Sequence, residues 1–578
     1  EMQRSLVGSE MCIRDRCAMD LTPSFIEYIE KAVVENWDRD ALTDYKGTTL
    51  QYHDVARKIE KLHILFANSG IEKGDKIALC GRNSSNWAVA FLATLAYGAV
   101  AVPIQNEFTP DQIYNIVNHS ESRLLFVGDV VATQIDASQM PALEGVFYLP
   151  DFSLTLSRSE QLTYAREHLN EMFGSKFPKF FRREHVAYHH GDAEDVALIN
   201  YTSGTTGFSK GVVLPYRALW SNFDFLNGMM GKHIPRGSNC VCILPMAHMY
   251  GLMDDVLFQF CLGSHIFFLT RMPTPTLVAE ALAEIRPRLI CSVPLVVEKI
   301  VRKKIFPEFQ TSMVRLLMNM PLLRDKVKER ICERVREVFG GNLYQIMVGG
   351  ASLSREVEEF FVSIGFPITV GYGTTETAPM ITMSNWDDFV PGSCGTPATH
   401  MEVRIASEDP EHVPGEIITR GLNVMLGYYK NEEATRAVID ADGWFHTGDL
   451  ATMSADGHVF IRGRIKNMLL GANGQNVYPE EIEDKLNSMA LVGESLVVQR
   501  GDQLVALVHP DVEEVKSMGF DDADLRGVME QNRIELNSKL PHFCKIAAIQ
   551  LHATEFEKTP KKLSLIHISE PTRLRCIS

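Results

Sequence analysis

The stretch YTSGTTGFSKG, residues 201–211, combines glycines, hydroxyl side chains and one lysine. It follows VALINY, residues 196–201, whose apolar and β-branched side chains predict a buried strand. A glycine-rich loop at the end of a strand lets backbone N–H groups approach phosphate oxygens, and Lys210 adds a positive charge. The stretch therefore predicts a phosphate-binding loop. An ordinary turn is the alternative, since clusters of Gly and Ser usually mark turns.

A Walker-type nucleotide loop does not fit this stretch. Its pattern requires Gly-Lys followed by Ser or Thr and then by a helix. Here Lys210 lies between Ser209 and Gly211, and the segment 212–215 (VVLP) predicts a second strand. A kinase or a simple NTPase is therefore disfavoured.

Length and composition limit the class of protein. A chain of 578 residues is too long for one compact core, so two or more domains are expected. A hydrophobic fraction of 45% with 22% charged residues is typical of a soluble enzyme, and the net charge of −16 disfavours nucleic acid as a partner. Cys240 and Cys242 have neither a zinc nor a disulfide spacing, which favours a reducing, cytoplasmic compartment.

Residues 87–104 (WAVAFLATLAYGAVAVPI) form an uncharged segment almost long enough to cross a membrane. Gly98 and Pro103 divide this segment, which favours a buried helix, a turn and a strand. Short β-branched runs alternate with helical patterns from about residue 24 to residue 460. This alternation predicts a layered α/β fold with largely parallel strands.

The character of the sequence changes in residues 466–486 (KNMLLGANGQNVYPEEIEDKL), where a glycine-rich loop precedes Pro479 and an acidic first helical turn. We predict a large domain over residues 19–463 and a small, mobile α+β domain over residues 464–562. The terminal sequences SLVGSEMCIRDR and LSLIHISEPTRLRCIS resemble adapter-derived sequence. We therefore expect foreign tails at residues 1–18 and 563–578.

Residues 299–337 form a basic segment with eleven Lys and Arg against five Asp and Glu. An amphipathic basic helix can contact anionic lipid, so peripheral contact with the inner face of the membrane is one interpretation. A solvated helix surface is the other.

Four further stretches contain residues suited to bind a nucleotide. IMVGGAS, residues 346–352, places two glycines where a planar ring could lie against the backbone. GYGTTE, residues 371–376, offers an aromatic ring, hydroxyls and a carboxylate for a hard cation. WFHTGDL, residues 444–450, contains Asp449, a typical acceptor for ribose hydroxyls. RGRIKN, residues 462–467, adds the cation of Arg464.

Together, in this order and spacing, the five stretches resemble the adenylate-forming superfamily of acyl-CoA synthetases, peptide-synthetase adenylation domains and luciferases. The resemblance covers about residues 24–562. GRNSSNW, LPMAHMYG, VMLGYYKN and FEKTPKK make the chain similar, more narrowly, to bacterial long-chain fatty acid–CoA ligases. The resemblance implies that the large domain binds ATP and the acyl group, and that the small domain moves between two half-reactions.

The resemblance also implies the reaction. A fatty acid attacks the α-phosphate of ATP, assisted by Mg²⁺, and gives acyl-adenylate and pyrophosphate; the thiol of CoA then displaces AMP. Three alternatives remain open: a relative that hands the acyl group to a carrier protein, one that stops at acyl-adenylate, and a non-catalytic lipid- or nucleotide-binding relative.

The implied site residues fall into four groups. The resemblance implies that ATP is bound by Thr202, Ser203, Gly204, Thr205, Thr206, Gly207, Lys210, Gly350, Ala351, Ser352, Tyr372, Gly373, Thr374, Asp449 and Arg464. The implied catalytic residues are His248, Thr375, Glu376 and Lys562, with Glu376 also the ligand of Mg²⁺. Lys466 is the implied hinge, and Gly471, Asn473 and Gly474 belong to the implied CoA-binding loop.

Two other enzyme classes lack their motifs. Residues 184–190 run E-H-x-x-x-H-H rather than H-E-x-x-H, which disfavours a metal hydrolase. No G-x-S-x-G elbow stands between a predicted strand and a helix, which disfavours an esterase.

Overall fold

The computed structural model describes residues 24–202, 209–271, 273–309, 319–470, 476–501 and 503–556. The strands in these residues are β1 (Asp40–Asp44), β2 (Thr49–Gln51), β3 (Lys76–Cys80), β4 (Val100–Ile104), β5 (Leu124–Val127), β6 (Gly145–Tyr148), β7 (Ser153–Ser157), β8 (Val196–Thr202), β9 (Lys210–Pro215), β10 (Asn239–Cys242), β11 (His265–Phe268), β12 (Leu289–Ser292), β13 (Gln345–Val348), β14 (Ile368–Val370), β15 (Tyr372–Gly373), β16 (Met380–Thr382), β17 (Met401–Ala406), β18 (Gly415–Gly421), β19 (Gly427–Tyr428), β20 (Phe445–Met453), β21 (Val459–Arg464), β22 (Leu469–Leu470), β23 (Asn476–Val477), β24 (Val492–Arg500), β25 (Gln503–Pro510) and β26 (Ile546–Leu551).

The longer helices lie between these strands. Their bounds are Phe25–Glu35, Tyr52–Asn68, Ser85–Tyr97, Pro110–Ser120, Glu160–Glu167, Leu169–Lys176, Tyr216–Met230, Pro275–Ile285, Pro294–Ile300, Pro321–Val338, Arg355–Ser363, Pro479–Asn487, Val512–Met518 and Asp522–Lys539. A π-helical segment, Gly251–Leu257, leads into the short helix Phe258–Cys261.

Two large sheets form the body of the molecule. The first has the order β19-β9-β8-β4-β3-β5-β6-β7, and the second has the order β14-β13-β12-β10-β11-β1-β2. In the first sheet β4, β3, β5 and β6 run parallel, whereas β8 and β9 form an antiparallel hairpin. Most residues of the central strands are apolar and buried, as expected where helices cover both faces of a parallel sheet. The predicted layered α/β fold with parallel strands is confirmed.

The uncharged segment at residues 87–104 is a helix, a turn and a strand, as predicted. The side chain of Ser84 caps the helix Ser85–Tyr97 by accepting a hydrogen bond from the N–H of Trp87. Gly98 ends the helix with φ of 84°, a left-handed conformation that suits glycine, and β4 follows. Of the helices in the described residues, none is long and apolar enough to cross a membrane.

The chain then forms a smaller antiparallel sheet, in the order β17-β18-β20-β21, with a core of Ile405, Ile417, Ala451 and Val459. This sheet matters for the site because β20 and β21 pair in a register that places Asp449 opposite Arg464.

The C-terminal part has a separate three-stranded sheet, β24-β25-β26, with its own hydrophobic core. Its first helix begins at Pro479 with Glu480 and Glu481 in the first turn, as the sequence predicts. The bounds predicted for the two domains remain a prediction. Both predicted tails lie outside the described residues.

Within the basic segment at 299–337, the structure describes residues 299–309 and 319–337. Lys304, Arg324, Lys326 and Arg330 are exposed. Ile331 and Val335 point into the core, so one face of the helix Pro321–Val338 is solvated and the other is buried. The eight cysteines in the described residues are all free thiols.

Candidate functional site

The two strands that flank the glycine-rich stretch form a hairpin. β8 ends at Thr202 and β9 begins at Lys210, and these two residues are direct partners in the antiparallel ladder. The connecting residues of the predicted phosphate loop, Ser203, Gly204, Thr205, Thr206 and Gly207, lie outside the described residues. The hairpin thus places Lys210 at the base of the predicted loop.

A tyrosine from the VMLGYYKN stretch connects Lys210 to Glu376. The Nζ atom of Lys210 lies 4.7 Å from the centroid of the Tyr428 ring, within cation–π range. The Tyr428 hydroxyl donates a hydrogen bond of 2.9 Å to Oε1 of Glu376. Burial raises the pKa of Tyr428, and the nearby Glu376 carboxylate raises it further, so the phenol keeps its proton as a donor.

The GYGTTE stretch contains β15 and begins the tight loop that leads to β16. A Cβ atom at Gly373 would lie 1.9 Å from the carbonyl oxygen of Pro379, so only glycine fits there. The N–H of Thr374 donates to that same carbonyl at 2.9 Å. Thr375 is buried, and Glu376 is half-buried with its carboxylate directed to Tyr428.

Asn222 anchors this loop from the helix Tyr216–Met230. Its side-chain amide donates to the Thr377 carbonyl at 3.3 Å and accepts from the Met380 N–H at 3.0 Å. Because that helix follows β9 directly, one rigid unit carries both Lys210 and the anchor of the Glu376 loop.

Asp449 is the most enclosed carboxylate of the candidate site. One oxygen accepts a hydrogen bond of 2.7 Å from the Tyr372 hydroxyl, and the other forms an ion pair with Nε of Arg464 at 3.1 Å. Burial raises the pKa of Asp449, although Arg464 and the Tyr372 hydroxyl both act to lower it. Asp449 and Arg464, predicted to hold the ribose, are therefore in contact with each other, and Asp449 also contacts Tyr372, which is predicted to lie against the adenine.

The IMVGGAS stretch continues β13 beyond its last residue. Gly350 has φ of 84°, and Gly350, Ala351 and Ser352 are all exposed, as a surface for a planar ring requires. A Cβ at Gly349 would lie 3.2 Å from the ring of Tyr250, so the LPMAHMYG stretch packs directly beneath this turn. The side chain of Ser352 also hydrogen-bonds Asp484 in the helix Pro479–Asn487.

The segment around His248 is held from both sides. The side chain of Asn83, from GRNSSNW, donates to the Leu244 carbonyl at 2.7 Å and accepts from the Met246 N–H at 2.9 Å. On the other side Asn200 of β8 donates to the Ala247 carbonyl at 3.0 Å. His248 itself is half-buried, and its Nδ1 lies 3.3 Å from the N–H of Tyr250.

The predicted hinge lies immediately after β21. Lys466 is exposed in a short 3-10 helix, Ile465–Asn467, and Asn467 donates a hydrogen bond of 2.7 Å to Glu480 of the next helix. Gly471, Asn473 and Gly474 of the predicted CoA loop lie outside the described residues, as does Lys562.

The structure therefore joins five described members of the predicted set into two groups: Lys210 with Glu376 through Tyr428, and Asp449 with Tyr372 and Arg464. Sequence reasoning missed the residues that link or anchor them, which are Tyr428, Asn222, Asn83 and Asn200. Asn200 and Asn222 carried a usable signal, since a polar amide inside an apolar strand or helix must find a partner. Tyr428 carried none, because its partners are not local.

The side chains present fit a magnesium ion that arrives with a nucleotide. Among the described residues no group of three or more His, Cys, Asp or Glu could hold a metal ion. Mg²⁺ with a nucleotide is usually held by one or two carboxylates together with the phosphates, and Glu376 offers such a carboxylate.

The resemblance to adenylate-forming enzymes implies the arrangement found here: two largely parallel sheets, a lysine at the base of the glycine-rich hairpin, a loop carboxylate and a buried aspartate opposite an arginine. The chain belongs to the family of AMP-binding enzymes, whose sequence pattern matches residues 29–429.

The curated relatives include long-chain acyl-CoA ligases. The peroxisomal long chain acyl-CoA synthetase 6 of Arabidopsis thaliana is 28% identical over 85% of this chain and 73% of its own length. The long-chain-fatty-acid–CoA ligase of Escherichia coli O157:H7 is 27% identical over 86% of this chain and 83% of its own length.

Solved structures show the same fold at lower identity. The anthranilate CoA ligase AuaEII in complex with anthranoyl-AMP aligns with a TM-score of 0.76 at 18% identity, covering 95% of this chain and 97% of that one. ATP-bound MatB from Rhodopseudomonas palustris aligns with a TM-score of 0.71 at 23% identity, covering 94% and 98%. The predicted fold, a large layered α/β part followed by a smaller C-terminal sheet, is confirmed.

Proposed function

We propose that the protein activates a long-chain fatty acid with ATP and Mg²⁺ and transfers the acyl group to CoA. The observation that carries this proposal is the linkage of Lys210, Tyr428 and Glu376 on one side of the site and of Asp449, Tyr372 and Arg464 on the other. The curated relatives named as long-chain ligases support the choice of acid.

In the first half-reaction a carboxylate oxygen of the acid attacks the α-phosphorus, and the bond to the β-phosphate oxygen breaks to release pyrophosphate. Negative charge builds up on the leaving group. Lys210 and the residues 202–207 contact the β- and γ-phosphates in this proposal, and Thr375 contacts the α-phosphate. Glu376 would hold Mg²⁺, which would offset that charge when bound.

The remaining described residues orient the nucleotide and the acid. Tyr372 and residues 350–352 flank the adenine, while Asp449 and Arg464 bind the ribose hydroxyls. The Tyr372 hydroxyl already donates to Asp449 and Arg464 already pairs with it, so the carboxylate is oriented before the ribose arrives. His248 lies beside the acyl group in the segment that packs under the adenine turn.

In the second half-reaction the CoA thiolate attacks the acyl carbonyl, and AMP leaves as the C–O bond to phosphate breaks. Rotation of the small domain at Lys466 brings the loop 471–476 to the site, and Lys562 serves the first half-reaction only. These roles rest on the family resemblance.

The test is pyrophosphate release with ATP and Mg²⁺ over short, medium and long fatty acids, with and without CoA. Release that peaks with long acids, and acyl-CoA formed when CoA is added, is the expected result. Pyrophosphate release without formation of acyl-CoA would indicate that the acceptor is a carrier protein or that the reaction stops at acyl-adenylate. No release with any acid would favour a non-catalytic binding protein.

We also propose that the protein is cytoplasmic and makes peripheral contact with anionic lipid through residues 299–337. The exposed Lys304, Arg324, Lys326 and Arg330 support the contact, since each basic side chain near an anionic surface contributes about 1 kcal/mol. Sedimentation with vesicles that contain phosphatidylglycerol, but not with pure phosphatidylcholine, is expected. Equal sedimentation with both would contradict it.

A further inference from the structure

Tyr428 contacts two of the groups on which the proposed function rests, and the resemblance gives it no role. Its hydroxyl donates to Oε1 of Glu376, while Lys210 lies over its ring. Tyr428 is only 9% exposed, so both contacts are largely shielded from water. A shielded contact of this kind is worth more than the same contact at the surface.

The backbone fixes the position of this tyrosine. β19 pairs antiparallel with β9 in a register that places Tyr428 opposite Val212, two residues after Lys210. The N–H of Met425 donates to the Glu376 carbonyl at 2.8 Å, which ties the start of the same segment to the Glu376 loop. Gly427 has φ of 145°, and a Cβ there would lie 2.8 Å from the Thr435 methyl group. Only glycine therefore allows the chain to bring Tyr428 into this place.

The chemistry of the two contacts differs. A carboxylate has two oxygens, so a phenol that holds Oε1 fixes the plane of the Glu376 carboxylate and leaves Oε2 for a cation. Hydrogen bonds to ligating carboxylates orient them, and their loss typically lowers metal affinity about 10- to 100-fold. The ring holds the Lys210 ammonium by its face, independently of the hydroxyl.

We propose that Tyr428 is a positioning residue for the nucleotide: its hydroxyl orients Glu376 toward Mg²⁺, and its ring orients Lys210 toward the phosphates. The proposal rests on the proposed function, because it takes Mg²⁺ and ATP as the ligands of this site.

Two substitutions separate the two contacts. Tyr428→Phe removes the hydroxyl and keeps the ring, whereas Tyr428→Leu removes both. The matched control is Tyr429→Phe, because the Tyr429 hydroxyl bonds Glu121 at the surface, at 3.2 Å, and touches neither Glu376 nor Lys210 in the described contacts. Thermal unfolding of each variant shows whether it folds like the wild type.

The measurement is the dissociation constant of ATP by calorimetry, once with Mg²⁺ and once with EDTA. For Tyr428→Phe we expect ATP binding about tenfold weaker with Mg²⁺ and within about twofold of wild type in EDTA. For Tyr428→Leu we expect several-fold weaker binding in EDTA as well, since Lys210 loses its support. Tyr429→Phe should match the wild type in both conditions.

The outcomes against the proposal are distinct. The proposal is overturned if Tyr428→Phe binds ATP as tightly as Tyr429→Phe in both conditions. It is also overturned if Tyr428→Phe loses the same amount of ATP affinity with Mg²⁺ and with EDTA, because an equal loss indicates a merely structural role. A wild-type protein that binds no ATP removes the proposed function and this inference together. ATP binding by the wild type with no effect of Tyr428→Phe removes this inference alone.

Discussion

Glu376 and Asp449 are two carboxylates of one candidate site, and they differ in burial and in hydrogen-bonding and ionic partners. Glu376 is half-buried, and the structure gives its carboxylate a neutral partner, the Tyr428 hydroxyl. The Asp449 side chain is 9% exposed, accepts a hydrogen bond from a phenol and forms an ion pair with a guanidinium. A carboxylate that takes up a cation from solution must remain accessible and keep its charge uncompensated. One that accepts neutral hydroxyls can be enclosed and paired in advance.

The largest effect is expected from Glu376→Gln, which removes the negative charge without changing the shape. Mg²⁺ would lose its carboxylate ligand, and the charge on departing pyrophosphate would lose its stabilisation. We expect pyrophosphate release to fall roughly 10²- to 10³-fold, a size typical for the loss of one transition-state contact.

The control for this variant is Glu432→Gln, an exposed carboxylate that pairs with Arg436. It should keep near wild-type release. If Glu376→Gln lowers pyrophosphate release by less than about threefold, Glu376 does not act on the phosphates, and the proposed difference in role between the two carboxylates is wrong.

Asp449→Asn should act on nucleotide binding rather than on the chemical step. The amide cannot accept from both Tyr372 and Arg464 and still receive two ribose hydroxyls. Hydrogen bonds to a charged group contribute about 1.5–3 kcal/mol, so the KM for ATP should rise roughly 10- to 100-fold. Initial rates over a range of ATP concentrations measure it, and a fall in kcat at an unchanged KM would contradict the assignment.

Tyr372→Phe should have a smaller effect in the same direction. It removes the 2.7 Å hydrogen bond to Asp449 and leaves the ring in place for the adenine. The expected rise in the KM for ATP is about 2- to 10-fold, from a bond worth about 0.5–1.5 kcal/mol. An effect as large as that of Asp449→Asn would mean that the hydroxyl itself contacts the nucleotide.

The smallest effect is on the pH dependence of stability. The pKa of Asp449 is raised in the folded protein, so above pH ~4 the unfolded chain has lost this proton while the folded chain still holds it. The unfolded state then binds fewer protons, and this group makes the free energy of unfolding fall as pH rises through that window. Asp449→Asn lacks this contribution. As pH rises from about 4 to the raised pKa, the melting temperature of Asp449→Asn should therefore increase relative to that of the wild type. Melting temperatures of the two proteins that change in parallel over this range would contradict a raised pKa for Asp449.

The sequence predicts the fold class well because its determinants are local. Continuous apolar runs such as β3 and β4 predict parallel strands, and the division at Gly98 predicts the turn between helix and strand. The glycines that the structure requires also lie within the predicted motifs, for example Gly373.

The side-chain contacts that join the site residues could not be predicted from local sequence patterns. Tyr428 and Glu376 are 52 residues apart in sequence, and Asn83 is 161 residues from the carbonyl that it binds. No periodicity spans such distances, because the contacts depend on which strands are neighbours in the two sheets. The motifs predict which residues meet the ligand, whereas the tertiary fold decides which residues hold them in place.

The two asparagines that hold the segment 244–248 have a practical consequence for engineering. Asn83 fastens this segment at Leu244 and Met246, and Asn200 of β8 fastens it at Ala247, so its supports lie far outside it in sequence. Grafting a foreign stretch in place of residues 244–248 would preserve its geometry only if the donor backbone offers the same carbonyls and N–H to both amides. Libraries that vary the side chains of residues 244–248 should therefore keep Asn83 and Asn200 unchanged, because both amides bond the backbone of this segment.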